Sequence, residues 1–536
     1  MVDLLQVLSY AGVAVAAVLV YEIARSLVKR RLTRRFERDL QNFLQTPDLY
    51  AQRFKFTNKL VIKQQLLSDP EINQKILEFA QRHNVPALEV RRKVDGYIEE
   101  IVPNFNMLSY YKVGYTVARG FVHALYDPVV DVERRQLLET LPERAAPVYL
   151  MNHRSNVDFV LLAYILAGRV SVSYAMGEWA RVWPLEHLFK SFGSYLVRRG
   201  YKEDLYHKVL ERYVQLSTRN GVAQAIFPEG QITRDGHLLP PRLGLLQFLA
   251  GVEADPQFDR DLTFIPVGVN YDWVIEDHNL VAESEGRPEK RGVGKKIQVI
   301  LTGPFVFFGL LIVNGIRFLT GRLKLHGYAS LSFGKPIVLK DWAKTQGLDF
   351  RRLSYEERKP HVKAFAEHAL AQVGATVPAT PATLLSVAIL DSGRTEFTRQ
   401  DLVGLARKAR DELQAKGARI VVGKKFEKFR HALIALEQRR AAHDRGGELD
   451  EVEAALVAEE EAETLVDFAI DVLRRNRILR RKNRIFHVRP ERVNFLRYYA
   501  NSLAHHLGRR YPISNAQARP GAEAVTNTMP LAGSPR

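Results

Sequence analysis

The chain has 536 residues, of which 46% are hydrophobic, so it is long enough to form two or three domains with substantial cores. It contains no cysteine, which excludes disulfide scaffolds, thiol nucleophiles and cysteine metal sites. The 78 Lys and Arg residues against 60 Asp and Glu residues give a formal net charge of +18. This charge predicts a polyanionic partner, which can be nucleic acid, anionic lipid headgroups or phosphorylated small molecules.

The first apolar segment is a run of 18 uncharged residues at positions 4–21, near the lower limit for a helix that spans a bilayer. Several basic residues follow between Arg25 and Arg35, whereas only Asp3 is charged before the run. A cleaved signal peptide has the opposite polarity. The positive-inside rule therefore predicts a membrane anchor over residues 1–24, with the rest of the chain on the cytoplasmic side of the cell membrane. A buried or surface amphipathic helix is the alternative.

Two regions of different periodicity follow the anchor. Residues 25–125 are predicted to form a helical lead-in domain, because apolar residues recur every three or four positions. Residues 126–374 alternate short apolar runs with helical stretches, which is typical of an α/β domain with functional groups at its strand ends. Strands are predicted within 147–152, 222–230, 262–272 and 327–339.

A second apolar run of 20 uncharged residues, 297–316, lies inside this α/β region and is interrupted by several glycines and a proline. Basic residues flank it on both sides, which predicts that both of its ends stay on the cytoplasmic face. We expect a bent insert that contacts the membrane interface, with a buried core hairpin as the alternative.

The last part of the chain is predicted to be mainly helical. A Pro-containing linker begins at residue 375, and the helical region extends to residue 510. The acidic stretch 448–463 is typical of a solvated helix face. The basic stretch 474–484 is more typical of an exposed face or a lipid contact than of a nucleic-acid site, so no nucleic-acid partner is predicted. Residues 511–536 have the composition of a disordered tail.

The motif HRSNVD places His153 and Asp158 five residues apart after an apolar strand. Five residues along a regular helix rotate the chain by about 500°, so the two side chains meet only if His153 precedes the helix. Ser155 or Asn156 is a good N-cap, which puts Asp158 in the first turn. Asp158 would then fix the imidazole, and His153 would act as a general base. The alternative is a capping box, Ser-x-x-Asp, with no catalytic role.

Paired arginines supply a possible phosphate contact. Arg198 and Arg199 end the apolar run of GSYLVRRG, where their guanidinium groups could bind a phosphate bidentately. An exposed arginine pair without a ligand is the alternative.

Two further stretches complete the set of candidate site residues. In IFPEGQITRDG a predicted strand ends at a turn that contains Glu229 and Gly230, and Arg234 follows as a possible phosphate donor. The alternative is a structural turn with Glu229 as a cap. Pro266 in FIPVGVNYD is predicted to form part of an apolar groove wall, with an ordinary core strand as the alternative.

Taken together, these four stretches resemble the motifs of the glycerolipid acyltransferase family, most closely the bacterial membrane glycerol-3-phosphate acyltransferases. The four blocks match at HRSNVD, at the apolar run ending in paired Arg, at F-x-E-G with a downstream Arg, and at I-P-V. The segments 100–106 and 496–507 are similar to flanking pieces of the long enzymes. The resemblance covers roughly residues 90 to 510.

The resemblance implies an acyltransferase-type α/β fold, with a mixed sheet flanked by helices between N- and C-terminal helical domains. It implies transfer of an acyl group from acyl-CoA or acyl-ACP to the sn-1 hydroxyl of glycerol 3-phosphate, at an anionic membrane surface. His153 and Asp158 would be catalytic, and the remaining motif residues would bind substrate, with no metal or cofactor besides the thioester co-substrate. Dihydroxyacetone phosphate or another phosphorylated or lyso-lipid acceptor is an alternative, as is a membrane lipid-binding protein without activity.

The third block departs from the pattern E-G-x-R-S-R of many relatives. Ile232 stands where the first Arg would be, and Thr233 replaces Ser. One phosphate or headgroup contact is therefore either missing or supplied from elsewhere, for example by Arg154 or Arg242, and the identity of the acceptor is open.

Overall fold

The computed structural model of the chain describes residues 59–105, 114–131, 144–166, 172–177, 185–198, 200–286, 326–420 and 448–514, with isolated positions outside these ranges. Within them, the central element is an eight-stranded mixed sheet. Its strands are β1 (Asp127–Val130), β2 (Ala145–Met151), β3 (Ser173–Met176), β4 (Tyr195–Leu196), β5 (Gln224–Ile226), β6 (Asp261–Tyr271), β7 (Tyr328–Phe333) and β8 (Ile337–Val338).

The strand order is β1-β7-β6-β2-β5-β3-β4, and β8 pairs with β6. β2 is parallel to both of its neighbours, β5 and β6, whereas β7 and β8 are antiparallel to β6. Helices connect the parallel strands, because a parallel pair cannot be joined by a tight hairpin. The carboxyl ends of β2 and β5 therefore lie at the same edge of the sheet, where the motif loops begin.

Side chains alternate between the two faces of β2, and each face has its own core. Val148 and Leu150 pack into the core that also contains the N-terminal helices. Tyr149 and Met151 pack into the core shared with the C-terminal helices. The sheet is therefore buried on both faces, as expected for a largely parallel sheet.

Helices cover both faces of the sheet and contribute side chains to its two cores. The helices are α1 (Lys59–Leu67), α2 (Pro70–His83), α3 (Ala87–Ile101), α4 (Tyr115–Leu125), α5 (Asp158–Leu166), α6 (Leu185–Ser191), α7 (Asp204–Arg219), α8 (Gly244–Ala250), α9 (Asp277–Ser284), α10 (Leu339–Thr345), α11 (Tyr355–Thr376), α12 (Pro381–Ser392), α13 (Arg399–Ala415), α14 (Glu448–Arg475), α15 (Val493–Asn501) and α16 (Ala504–Leu507). α2 and α3 pack on α7, whereas α12 packs on α13, α14 and α15.

Several helix ends follow from their sequences. Asp69 caps α2 by accepting hydrogen bonds from two backbone amides, and Pro70 occupies the first turn, where its missing N–H costs nothing. Ser354 and Glu357 form a reciprocal capping box at the start of α11. These local signals fix where the helices begin, and burial of their apolar faces fixes where they pack.

The predicted fold class is confirmed: a mixed sheet is flanked by helices, with helical regions before and after it. The C-terminal region also contains a three-stranded sheet of β9 (Glu396–Phe397), β10 (Leu479–Lys482) and β11 (Ile485–Val488). Two short strands, β12 (Arg509–Arg510) and β13 (Met529–Pro530), pair near the end. The periodicity of the sequence did not predict these strands.

The two predicted membrane segments, 1–24 and 297–316, lie outside the described residues, as does most of the predicted tail 511–536. Among the helices that the structure does describe, none combines the length and apolar character needed to cross a bilayer. The domain boundaries stay predictions.

Candidate active site

The site begins where the chain leaves β2, the strand with parallel neighbours on both sides. Asn152 follows the strand and is anchored to β6, since its Nδ2 donates to Val269 O at 2.9 Å and its Oδ1 accepts from Val269 N at 2.8 Å. This pair of hydrogen bonds fixes the direction in which His153 leaves the sheet.

His153 and Asp158 are in contact, with 2.9 Å between His153 Nδ1 and Asp158 Oδ2. Asp158 is the first residue of α5, so His153 precedes the helix, as the helical rotation requires. An ionised carboxylate accepts this bond only if Nδ1 carries the hydrogen, which leaves the lone pair on Nε2. Nε2 has no hydrogen-bond partner among the described residues.

The carboxylate of Asp158 is fully buried and accepts hydrogen bonds through both oxygens. Oδ2 accepts from the backbone amides of Arg154 at 2.7 Å and Ser155 at 3.1 Å, and Oδ1 accepts from the Tyr271 hydroxyl at 2.6 Å. The catalytic and the capping interpretations of the motif are therefore compatible, because the same carboxylate accepts hydrogen bonds from the loop amides and orients the imidazole. Such a set of donors compensates for the burial of the charge.

The third motif holds the main chain and the ring of His153. Glu229 Oε1 accepts from His153 N at 3.0 Å, and Thr233 N donates to His153 O at 3.1 Å. The ring of Phe227 stacks on the imidazole, with 4.0 Å between centroids and 17° between planes. The imidazole therefore has one fixed orientation, with one of its two faces covered by Phe227.

Glu229 is a buried positioning group. Its second oxygen, Oε2, accepts from Leu239 N at 2.9 Å, so the carboxyl joins two loops. Burial raises the pKa of Glu229 to about 7, although the amides of Leu239 and His153 act in the opposite direction. Glu229 contacts the backbone of His153 and organises the loop that follows β5.

Glu276 holds the other side of the motif loop. It accepts from the Ser155 hydroxyl at 2.8 Å and from the backbone and side-chain amides of Asn156, each at 3.2 Å. The loop between β2 and α5 is thus fixed by Asp158 from within and by Glu276 from outside.

Arg154 is buried between the motif loop and the C-terminal helices. Its Nη1 donates to Gly236 O at 2.6 Å, and its guanidinium lies 4.9 Å from the ring centroid of Tyr498 in α15. Nε and Nη2 are buried without a hydrogen-bond partner among the described residues. The geometry favours a structural link to α15 over a contact with substrate at the surface.

Arg198 is held by neighbouring residues of the chain itself. Its Nε and Nη2 donate to the two carboxylate oxygens of Glu100 in α3, at 2.8 and 2.5 Å. The rings of Tyr97, Tyr201 and Tyr206 surround the guanidinium at 4.7 to 5.5 Å. A substrate phosphate would have to share or replace the Glu100 contact. Its neighbour Arg199 lies outside the described residues.

Gly230 occupies a left-handed turn with φ of +69°. Its amide donates to Phe227 O at 2.9 Å, so this N–H already has an acceptor. A Cβ at this position would lie 2.6 Å from Cδ of Arg242, whose side chain crosses the glycine. Glycine is required both by the turn and by the close approach of Arg242.

The remaining arginines of the third motif differ in their partners. Arg234 forms an exposed ion pair with Glu283, with 2.5 Å between Nε and Oε2. Arg242 is exposed and has no carboxylate partner among the described residues. Ile232, at the position of the missing arginine, packs against the core.

Pro266 lies buried within β6, directly opposite Leu150 of β2. Its carbonyl accepts from Gly334 N at 2.7 Å. Pro266 therefore shapes the sheet next to the strand that leads to His153. Within the described ranges, no group of three His, Asp or Glu side chains is arranged to hold a metal ion.

Tyr271, Glu276 and Asn152 were missed by the sequence reasoning. Tyr271 and Glu276 lie 113 and 120 residues after their partners in the motif loop, and no local spacing connects them. Asn152 precedes the motif directly, and a polar residue at a strand end was the available signal.

Two family models match the chain. The acyltransferase model matches residues 134–270, which contain His153, Asp158 and Glu229, and the model of the glycerol-3-phosphate acyltransferase C-terminal region matches residues 315–423. In solved structures, the 1-acyl-sn-glycerophosphate (LPA) acyltransferase PlsC from Thermotoga maritima is similar at 17% identity and a TM-score of 0.27, over 49% of this chain and 76% of that one.

Curated relatives carry the name glycerol-3-phosphate acyltransferase. The protein from Aeromonas hydrophila is 27% identical over 357 residues, which cover 65% of this chain and 42% of the relative. The protein from Shewanella woodyi is 25% identical over 371 residues, covering 66% and 43%. The chain thus matches about two fifths of the length of these relatives. The resemblance predicted from the motifs is confirmed, since the chain matches an acyltransferase model and, after it, the model of the glycerol-3-phosphate acyltransferase C-terminal region.

Proposed function

We propose that the protein transfers a fatty acyl group from an acyl thioester to the sn-1 hydroxyl of glycerol 3-phosphate, giving lysophosphatidate. The observation that carries the proposal is the buried His153–Asp158 pair, whose Nε2 is left available at the end of a central parallel strand. The names of the curated relatives support glycerol 3-phosphate as the acceptor.

In the proposed step, His153 Nε2 removes the proton from the acceptor hydroxyl as its oxygen attacks the thioester carbonyl carbon. Asp158 stabilises the imidazolium that forms. The tetrahedral intermediate then collapses, the carbon–sulfur bond breaks, and the imidazolium returns the proton to the leaving thiolate. A thioester is already activated, so the step uses neither a metal ion nor a covalent enzyme intermediate.

Stabilisation of the oxyanion would come from donors other than the Gly230 amide, because that amide already donates to Phe227. In comparable sites a single such donor is worth about 2.7 to 4 kcal/mol.

The acceptor phosphate requires cations near His153. Arg242 is the best placed of the described arginines, because it crosses Gly230 and has no carboxylate partner among the residues described. Arg198 would contribute if the phosphate competes with Glu100, and Arg234 if it competes with Glu283. This arrangement would offset the missing arginine at Ile232.

We further propose that the reaction takes place at the cytoplasmic face of the cell membrane, since the product carries a long acyl chain. The net charge of +18 favours anionic headgroups and phosphate-bearing donors. Both acyl-CoA and acyl-ACP fit this proposal.

The proposal is tested by incubating the purified full chain with a labelled acyl thioester and, separately, with glycerol 3-phosphate, dihydroxyacetone phosphate and lysophosphatidate. Acyl-CoA and acyl-ACP are compared as donors in each case. We expect the highest kcat/KM with glycerol 3-phosphate and a 1-acyl product. Preference for another acceptor would replace the substrate assignment, and absence of transfer to all three would support a lipid-binding protein without activity.

A further inference from the structure

A second cluster of cations lies in the C-terminal region, away from His153. It lies within residues 474–488, which contain the end of α14, the turn that follows it, and the basic hairpin, which we define as residues 479–488, formed by β10 and β11. Six basic side chains in this stretch are exposed: Arg474, Arg477, Arg480, Arg481, Lys482 and Arg484. Among the described residues, none of the six forms an ion pair with a carboxylate.

Three of these cations line a cleft of about 660 Å³ between the hairpin, α14 and the start of α13. They are Arg474, Arg481 and Arg484. Phe486 lines the same cleft, and the centroid of its ring lies 5.8 Å from the guanidinium carbon of Arg481. A cleft of this volume accommodates a small organic ligand. The other three basic residues of the stretch do not line it.

Two carboxylates also line the cleft, but each already has a partner. Asp467 accepts two hydrogen bonds at 2.8 Å from Arg399. Asp471 pairs with Arg475, with 3.0 Å between Oδ2 and Nη2. The cleft therefore keeps an excess of positive charge, since the arginines that line it outnumber its two carboxylates.

The turn of the hairpin positions one of the arginines at a conformational cost. Asn483 and Arg484 have φ of +48° and +64°, the left-handed conformation that a two-residue hairpin turn requires. Glycine is the residue usually favoured at the second turn position, and an arginine there is uncommon.

We propose that this cleft binds a phosphate-bearing ligand, separate from the acyl-transfer site. Guanidinium groups match the geometry of phosphate oxygens and keep their charge at all physiological pH values. The phosphate can belong to the headgroup of an anionic lipid or to a soluble phosphorylated compound. None of the residues that contact His153 or Asp158 lines the cleft, so binding here does not depend on the proposed acyl transfer.

The first experiment compares two triple variants of the full chain that remove equal charge from the same segment. One is Arg474→Gln with Arg481→Gln and Arg484→Gln, and the control is Arg477→Gln with Arg480→Gln and Lys482→Gln. Inorganic pyrophosphate binding is measured by calorimetry without an acyl donor. We expect the cleft variant to lose about tenfold or more in affinity, and the control less than about threefold, because only diffuse attraction is removed.

The second experiment identifies the source of the phosphate. Binding of the same proteins to vesicles of phosphatidylcholine with phosphatidylglycerol is compared with binding to phosphatidylcholine alone, which cancels the contribution of apolar segments. If the cleft variant loses the preference for vesicles with phosphatidylglycerol and the control variant keeps it, the result supports a lipid headgroup. If the cleft variant loses only pyrophosphate binding, the result supports a soluble ligand. Equal effects of the two triple variants in both assays, or no binding by the wild type, would overturn the proposal.

A single variant separates binding from folding. Arg484→Gly removes one cation and relieves the strain of the left-handed conformation. We therefore expect an unchanged or higher Tm, together with weaker binding of whichever probe, pyrophosphate or the phosphatidylglycerol vesicle, responds to the triple variant of the cleft. If Arg484 served only the fold of the hairpin, the variant would keep its affinity.

Discussion

The hydroxyl of Tyr271 donates to Asp158 Oδ1 at 2.6 Å, while the other oxygen of the same carboxylate contacts His153 Nδ1 at 2.9 Å. Tyr271 is the last residue of β6, and Asp158 is the first residue of α5. The carboxylate that orients the imidazole is therefore itself held by the strand next to β2. This connection makes the position of Asp158 depend on the sheet as well as on the motif loop.

Replacing Tyr271 by Phe removes this donor without removing the ring. Hydrogen bonds to charged groups contribute about 1.5 to 3 kcal/mol, so we expect a similar fall in the free energy of unfolding. We also expect a fall in kcat, because Asp158 loses one of the contacts that fix it. Both quantities are measured, by denaturant unfolding and by the acyl-transfer assay.

Tyr126→Phe is the matched control for this variant. Tyr126 is equally buried, packs 5.2 Å from the ring of Tyr271, and donates to Trp273 O at 2.8 Å, but it does not touch Asp158. It should lose about 0.5 to 1.5 kcal/mol of stability with kcat unchanged. An equal fall in kcat for both variants would mean that the hydroxyl of Tyr271 acts only through the stability of the fold.

Asp158→Asn tests the orienting role of the carboxylate. The amide can turn its NH₂ group toward Nδ1, which favours the wrong tautomer of His153, and in serine proteases the corresponding change costs about 10⁴ in kcat. We expect a loss of at least about 10² in kcat with little change in the KM of the donor. Activity within twofold of the wild type would assign Asp158 to helix capping alone.

The fold of the central sheet and the His153–Asp158 contact could be predicted because both rest on local patterns. Strands such as β2 and β6 follow from apolar runs, and the contact follows from a five-residue spacing at a helix start. Longer-range partners could not be predicted, because they depend on tertiary packing. Arg198, for instance, is neutralised by Glu100, which lies 98 residues earlier, and the basic hairpin carries no alternating apolar pattern.

Glu229 predicts a pH dependence of stability. Burial raises its pKa from the ordinary value of 4.5 to about 7, so the folded chain binds this proton more tightly than the unfolded chain. The associated stability is fully present below about pH 4.5 and is lost as the pH rises to about 7. Between these two pKa values the free energy of unfolding falls by about 1.4 kcal/mol for each pH unit.

Glu229→Gln cannot titrate and is the variant that measures this effect. Chemical denaturation of both proteins between pH 4.5 and 7.5 should show the wild type losing stability relative to the variant as the pH rises. Parallel stability curves would show that the carboxyl of Glu229 titrates alike in the folded and unfolded chain.

Glu276→Gln weakens the outer support of the motif loop. The neutral side chain loses charge-assisted bonds with Ser155 and Asn156, which are stronger than neutral ones by roughly a factor of two. We expect a fall in kcat of roughly fivefold, equivalent to about 1 kcal/mol. Ser155→Ala should reproduce part of this effect, and the double variant should lose less than the sum of the two, as shared partners require. Strict additivity in the measured kcat values would contradict this coupling.

The most direct test of His153 as the general base is the rate of acyl transfer to glycerol 3-phosphate by His153→Ala, compared with the wild type and with His368→Ala, whose histidine is exposed on α11. Circular dichroism and Tm verify that each variant is folded. Loss of a general base costs about 10² to 10⁴ in rate, so we expect kcat to fall by that factor in His153→Ala and to be unchanged in His368→Ala. A folded His153→Ala variant with the wild-type kcat would contradict the assignment of His153 as the base.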